Sequence, residues 1–339
     1  MHEVDETLAK QWDNRGAVAR SGRLFSLLMR PLGYPHLEGG RVIEAYRGPQ
    51  AFVDACGLDE DAWARHFDQW DRAASRAANC HRDRVVLLHF LAALAVLTAV
   101  LGAIGFLGHA MGLVWALAEV AILVTIVVLV RSDRDPEKST HHAWLSCRKQ
   151  AERFRAEALA RIPAAPGIGD DATRRAAILA LLEDQIGYQA KAHDRWEKLH
   201  GGLERATRRI FYLVLVAAAG HLVPIGVESW RAMGNAVPHA VEVVAHFFHS
   251  PKWLIITAAG PAFAACLHGI ASKLEVKRLA SQAGAMAARL SALKLELESL
   301  GPDNGRELER LAQRIGDELT AEHSNWLSLV EHAELEEPA

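Results

Sequence analysis

"VVLLHFLAALAVLTAVLGAIGFLGHAMGLVWALAEVAILVTIVVLV", Val85 to Val130, decides how this chain folds. Its one formally charged side chain is Glu119, and Arg84 and Arg131 bracket it. The run is about twice the ~20 residues that cross a bilayer as helix, so it predicts a hairpin of two spans. Gly108, His109, Ala110, Met111 and Gly112 combine flexible, small and polar residues, which suits the reversal.

Two further runs, Ile210 to Val227 and Trp253 to Ile270, carry no charged residue, and each is near the lower length limit for a span. Four transmembrane helices in two hairpins follow, in an all-α chain. The averages conceal this, with 339 residues, 50% hydrophobic, a net charge of −3 and a mean hydropathy of +0.03.

Orientation follows from Lys and Arg, which are retained on the cytoplasmic side of a span. Arg82, Arg84, Arg131, Arg134, Arg205, Arg208, Arg209, Lys273, Lys277 and Arg278 flank the inner ends, against Arg231 and Lys252 in the outer loops. The opening "MHEVDETLAKQWDNRG" is polar and acidic, which predicts no signal peptide. Both termini are therefore expected in the cytoplasm of a multi-pass inner-membrane protein. Cys56, Cys80, Cys147 and Cys266 lie far apart without a CxxC pair, so neither a disulfide frame nor a zinc knuckle is expected.

Three segments organise the remainder. Residues 1–60 are broken by "RPLGYPHLEGG" and have no legible fold; residues 61–209 hold the first hairpin with cytoplasmic helices; residues 210–339 hold the second hairpin with long C-terminal helices. Helices are expected from Asp61 into the first span, from an Asp135 cap with Pro136 at the first position to about Arg161, and from Ala172 to His200, where Gly201 and Gly202 punctuate. The fourth span is expected to continue without a break to Leu300, and Asn304 to cap a last helix reaching about His332.

Several clusters could carry chemistry. Glu119 lies about a third of the way down its span from the outer turn, and an ionisable residue at that depth faces a bundle interior or water. A ring of such carboxylates from several subunits would favour cations; the competing reading is a carboxyl held between helices by His89, His109 or His221. Pro224 and Gly260-Pro261 interrupt helical hydrogen bonding in spans three and four, and Pro261 is the candidate hinge. Glu119, His221 and Pro261 are thus the pore or gating candidates. His239, Glu242, His246 and His249 share one helical face, which suits zinc or the polar side of an interfacial helix.

Arg15, Arg20, Arg23 and Arg30 make the N-terminal segment basic, for an anion, the inner membrane surface, or packing on the helices. Trp144, Arg148, Ala151 and Arg155 fall on one stripe, with Glu152 one turn from Arg148. The last helix has an inward stripe of Leu308, Leu311, Ile315, Leu319, Glu322, Trp326 and Val330, which places an acid where an apolar residue belongs. A buried acid and a buried arginine each need a partner, so Glu322 is expected to meet Arg148 or Arg155. No GxxxxGK[ST] loop, GxSxG elbow, HExxH or paired CxxC occurs, and neither an enzyme nor a cofactor is expected.

"WLSCRKQAERFR" (Trp144, Arg148, Ala151, Glu152, Arg155) resembles the W…R..AE..R signature that follows the first hairpin of SLATT-type bacterial membrane effectors. "DRAASRAANCHRDR", "DQIGYQAKAHDRWEKLH", "SQAGAMAARL" and "ELTAEHSNW" are similar to further segments of longer, four-span relatives, from about residue 65 to the C-terminus. The chain departs from them at Tyr188-Gln189, where relatives tend to have Tyr-His. The resemblance implies a homo-oligomeric pore of antiphage defence, gated by a nucleotide or oligonucleotide from a neighbouring nucleotidyltransferase. A membrane-anchored scaffold and a metal or proton transporter using His221, His268, Glu119 and the outer histidine face (His239, His246, His249) are the alternatives from other classes.

Overall fold

The structure, a computed structural model, describes residues 10, 12, 22–34, 67–105, 108, 111–135, 139–161, 171–250, 252–301 and 304–330. Every element of regular structure among them is helical: α1 (Arg23–Met29) and a 3-10 turn (Arg30–Leu32), α2 (Gln69–Ala103), α3 (Gly112–Arg134), α4 (Thr140–Arg161), α5 (Asp171–Ala232), α6 (His239–Phe248), α7 (Lys252–Lys273), α8 (Val276–Ser299) and α9 (Gly305–Val330). Four helical stretches, in α2, α3, α5 and α7–α8, are long and apolar enough to cross a bilayer. Four such helices suggest a multi-pass membrane protein.

The reversal between α2 and α3 is turned by Gly105 and Gly108, at φ 64° and 95°, a left-handed region that favours glycine. Three boundaries differ from expectation. The cap of α4 is Ser139, whose Oγ accepts from His142 N–H at 3.1 Å, four residues beyond Asp135. α5 runs through Gly201 and Gly202 without interruption for 62 residues; buried Leu199 and Leu203 flank the pair, and packing outweighs the ~1 kcal/mol propensity cost of a helical glycine. The fourth apolar helix does break, because Glu275 takes φ 49° and starts a new helix at Val276. No proline or glycine announces that break.

Two compact units interleave along the chain. The first, the polar unit, comprises Met1–Arg84, Asp133–His200 and Leu274–Leu335. Its core joins the start of α2 (Trp70, Ala73, Ala74) with Cys147 and Ala151 of α4, Ile178, Leu181 and Leu182 of α5, and stripes from α8 and α9. On α8 the buried positions Val276, Ala280, Ala283, Met286, Leu290, Leu293 and Leu297 recur every three or four residues, and on α9 Leu308, Leu311, Ile315 and Leu319 are buried as their spacing predicts.

The second, the apolar unit, holds Val85–Ser132 and Gly201–Lys273. Its helices leave broad apolar faces uncovered, with Leu113 70% and Leu117 60% exposed on α3 and Phe211, Val216, Leu222 and Ile225 exposed on α5. A soluble monomer rarely shows contiguous apolar patches beyond a few hundred Å², and lipid or a second copy satisfies such faces. Within this unit glycines admit large neighbours: a Cβ on Gly269 of α7 would lie 2.6 Å from His89 Nε2 of α2. Gly269→Ala is therefore expected to cost about 1–3 kcal/mol through overpacking. Gly187→Ala, in the polar unit with nothing within 4 Å of its Cβ position, should instead gain up to about 1 kcal/mol. Thermal unfolding of both variants in detergent checks the opposed signs.

Candidate functional site

The polar unit buries a network around α4. Arg148 Nη1 reaches Asp71 Oδ1 of α2 at 2.6 Å, and its Nη2 reaches Glu152 Oε1 at 2.6 Å. The other Glu152 oxygen takes Arg155 Nη2, and Arg155 Nη1 donates to Gln185 Oε1 of α5 at 3.3 Å. Asp71, Glu152, Arg155 and Gln185 are all buried. The stripe of Trp144, Arg148 and Arg155 thus faces inward as expected, and Asp71, 77 residues from Arg148, is the partner that sequence reasoning missed. The side chains of Glu322 and Trp326 lie outside the described residues, so the expected pairing of Glu322 falls there too.

Arg82 of α2 stands apart from that network. Its guanidinium carbon lies 5.9 Å from the ring centre of Trp144 and 5.4 Å from that of Trp196, and Nη1 donates to Asn79 Oδ1 at 3.0 Å. Burial, the largest cause, pulls its pKa below the usual guanidinium range. Arg82, Arg148, Arg155, Trp144, Tyr188, Gln189 and Trp196 line one cavity of about 140 Å³. Beside it His81 is buried, its ring 4.9 Å from His141 and 5.8 Å from Trp144, and its Nδ1 has no hydrogen-bond partner among the described residues.

The N-terminal segment is docked through α1. Gly22 N–H and Phe25 N–H donate to the Asp83 carboxylate at 2.9 and 2.7 Å. Phe25 packs edge-on to Tyr34 at 4.9 Å, and Tyr34 lies 6.2 Å from Trp196. Of the basic candidates, Arg23 and Arg30 are exposed on this arm and contribute nothing to the cavity; Arg15 and Arg20 lie outside the described residues. At the base of the first hairpin Arg84 pairs with Asp133 at 2.6 Å, and Asp133 also accepts from Thr140 N–H at 3.2 Å.

In the apolar unit Glu119 is half-buried beside the narrow covered stripe of α3 that includes Trp115, Ile122, Ile126 and Val130. Among the described residues it has no hydrogen-bond or ion-pair partner, so neither His89 nor His221 holds it. His89 Nδ1 donates instead to Val85 O at 2.8 Å, and His109 lies outside the described residues. His221 is half-buried, and Pro261 sits on the exposed side of α7. In the outer loop Arg231 takes the Glu242 carboxylate at 2.5 Å, while His239 is 90% exposed. No three His, Cys, Asp or Glu side chains gather as a metal site among the described residues.

Fold and site give a chain that is helical throughout the regular structure of its described residues, with four helices long and apolar enough to cross a membrane and a polar unit that carries an arginine-lined cavity. Comparison with protein-family models, with curated proteins and with solved structures finds no match to this chain.

Proposed function

We propose that this chain is a SLATT-type membrane effector of antiphage defence, a homo-oligomeric ion-conducting pore switched by a nucleotide or oligonucleotide. In this reading both hairpin turns face outward from a bacterial inner membrane, and the polar unit and both termini are cytoplasmic, following the Lys and Arg distribution. The chemistry is conduction and not catalysis.

The observation that carries the reading is Glu119. A carboxylate inside a bilayer is costly unless water or a partner receives it, and no described residue of its own chain does. A water-filled axis between subunits would receive it, and the uncovered apolar face of α3 supplies a surface for assembly. A ring of these carboxylates favours cations. The motif on α4 adds that the resemblance coincides with a buried network rather than with surface residues.

Purified full-length protein in liposomes is expected to leak cations, with a rate that candidate nucleotides or short oligonucleotides change. Glu119→Gln should lower that flux roughly tenfold, equivalent to ~1.4 kcal/mol on the conduction barrier. A wild-type protein that passes no ions under any of these conditions would leave a membrane-anchored scaffold. Flux that Glu119→Gln leaves unchanged would remove the carboxylate ring.

A further inference from the structure

We propose that the cavity lined by Arg82, Trp144, Tyr188, Gln189 and Trp196 is a binding site for a soluble ligand bearing an oxyanion, with Arg82 as its anchor. Three guanidinium groups face this cavity, whereas the two carboxylates of the network are already engaged. Glu152 lines the cavity wall too, but one of its oxygens is taken by Arg148 and the other by Arg155. Asp71 is taken by Arg148. Among the described residues the balance of charge is therefore positive, which disfavours a cation, and the lining of arginine, glutamine and tyrosine disfavours an apolar guest.

Arg82 is the group left to act. A guanidinium has five N–H donors in a planar fork, and among the described residues one hydrogen bond, to Asn79, is formed. No carboxylate lies within ion-pair distance of it among those residues. The rings of Trp144 and Trp196 flank it at 5.9 and 5.4 Å, so hydrogen bonds made by its remaining edge act in a lower dielectric than bulk water. An oxyanion accepts such a fork bidentately. Tyr188 and Gln189, one turn before Ala192 on α5, offer hydroxyl and amide hydrogen-bonding groups at the same wall. A volume of about 140 Å³ receives a phosphate- or carboxylate-sized group with a few waters, each of which takes about 30 Å³ of liquid.

The position also places the site beside two other parts of the chain. Trp196 touches Tyr34 of the N-terminal arm, and Arg82 lies three residues ahead of Val85, where the first apolar stretch begins. That such binding controls conduction rests on the pore reading above; the binding itself does not, and the two fail separately.

The test is titration calorimetry on the full chain in detergent with inorganic phosphate, succinate and adenosine monophosphate as separate probes. Saturable binding of at least one probe is expected, weakened roughly tenfold or more by Arg82→Gln and untouched by Arg30→Gln on the exposed arm. Phosphate binding identifies the oxyanion alone as sufficient, succinate binding identifies a carboxylate ligand, and binding confined to the nucleotide identifies a phosphate ester with further contacts. If Arg82→Gln does not unfold cooperatively, Gln189→Leu takes its place with the same expectation. Absence of saturable binding by all three probes, or binding indifferent to the cavity variants, overturns the proposal.

Discussion

Glu152→Ala is expected to destabilise the polar unit by about 3–5 kcal/mol, the cost of removing one partner from a buried ion network. Both carboxylate oxygens are in use, toward Arg148 and Arg155, and the side chain is buried. Its loss removes one described carboxylate from Arg148 and one from the buried Arg155, so desolvated positive charge loses part of its compensation. Deleting a surface acid such as Asp194, whose pair with Lys198 is more than half exposed on both sides, should change stability by no more than about 1 kcal/mol. Urea unfolding of the detergent-solubilised chain, followed by tryptophan fluorescence, compares the two. Equal small shifts would mean that the α4 network is not what orders the unit.

The second large effect is with pH, through His81. Burial, then the charges of His141, Arg82 and Arg84, push its folded-state pKa from 6.5 down to about 3. Between those values the unfolded chain binds a proton that the folded chain refuses, so stability rises with pH across that window and falls with acid. The contribution is whole above about pH 6.5 and is lost progressively below it. From pH 6.5 to 5, above the range where most carboxylates titrate, the loss from this one group should reach about 2 kcal/mol. His81→Phe keeps a ring against Trp144 and removes the proton site, so its stability should be flatter over that interval. A variant with the same slope as the wild type would place the acid sensitivity elsewhere.

Much of this molecule was legible one residue after another. Whether a stretch suits lipid depends on some twenty neighbours in the chain, so the runs at 85–130, 210–227 and 253–270 declared themselves. A helix face repeats every three or four residues, so the stripe on α9 and the Trp144–Arg155 face of α4 could be read directly. Helix ends were less legible. Gly201 and Gly202 are helix-weakening residues that packing overrides, and Glu275 is an ordinary helix former forced into a left-handed turn.

The sequence by itself determined that this chain is helical, apolar in four long stretches, and marked by one carboxylate inside a span. Only the tertiary structure decided that Asp71 answers Arg148, that Glu119 has no described partner in its own chain, and that Arg82 sits between two tryptophans at a cavity. The physical reason is distance along the chain. Hydropathy and helical period are properties of near neighbours, whereas a partner for a buried charge is whichever residue the packing of separate helices brings within hydrogen-bonding reach.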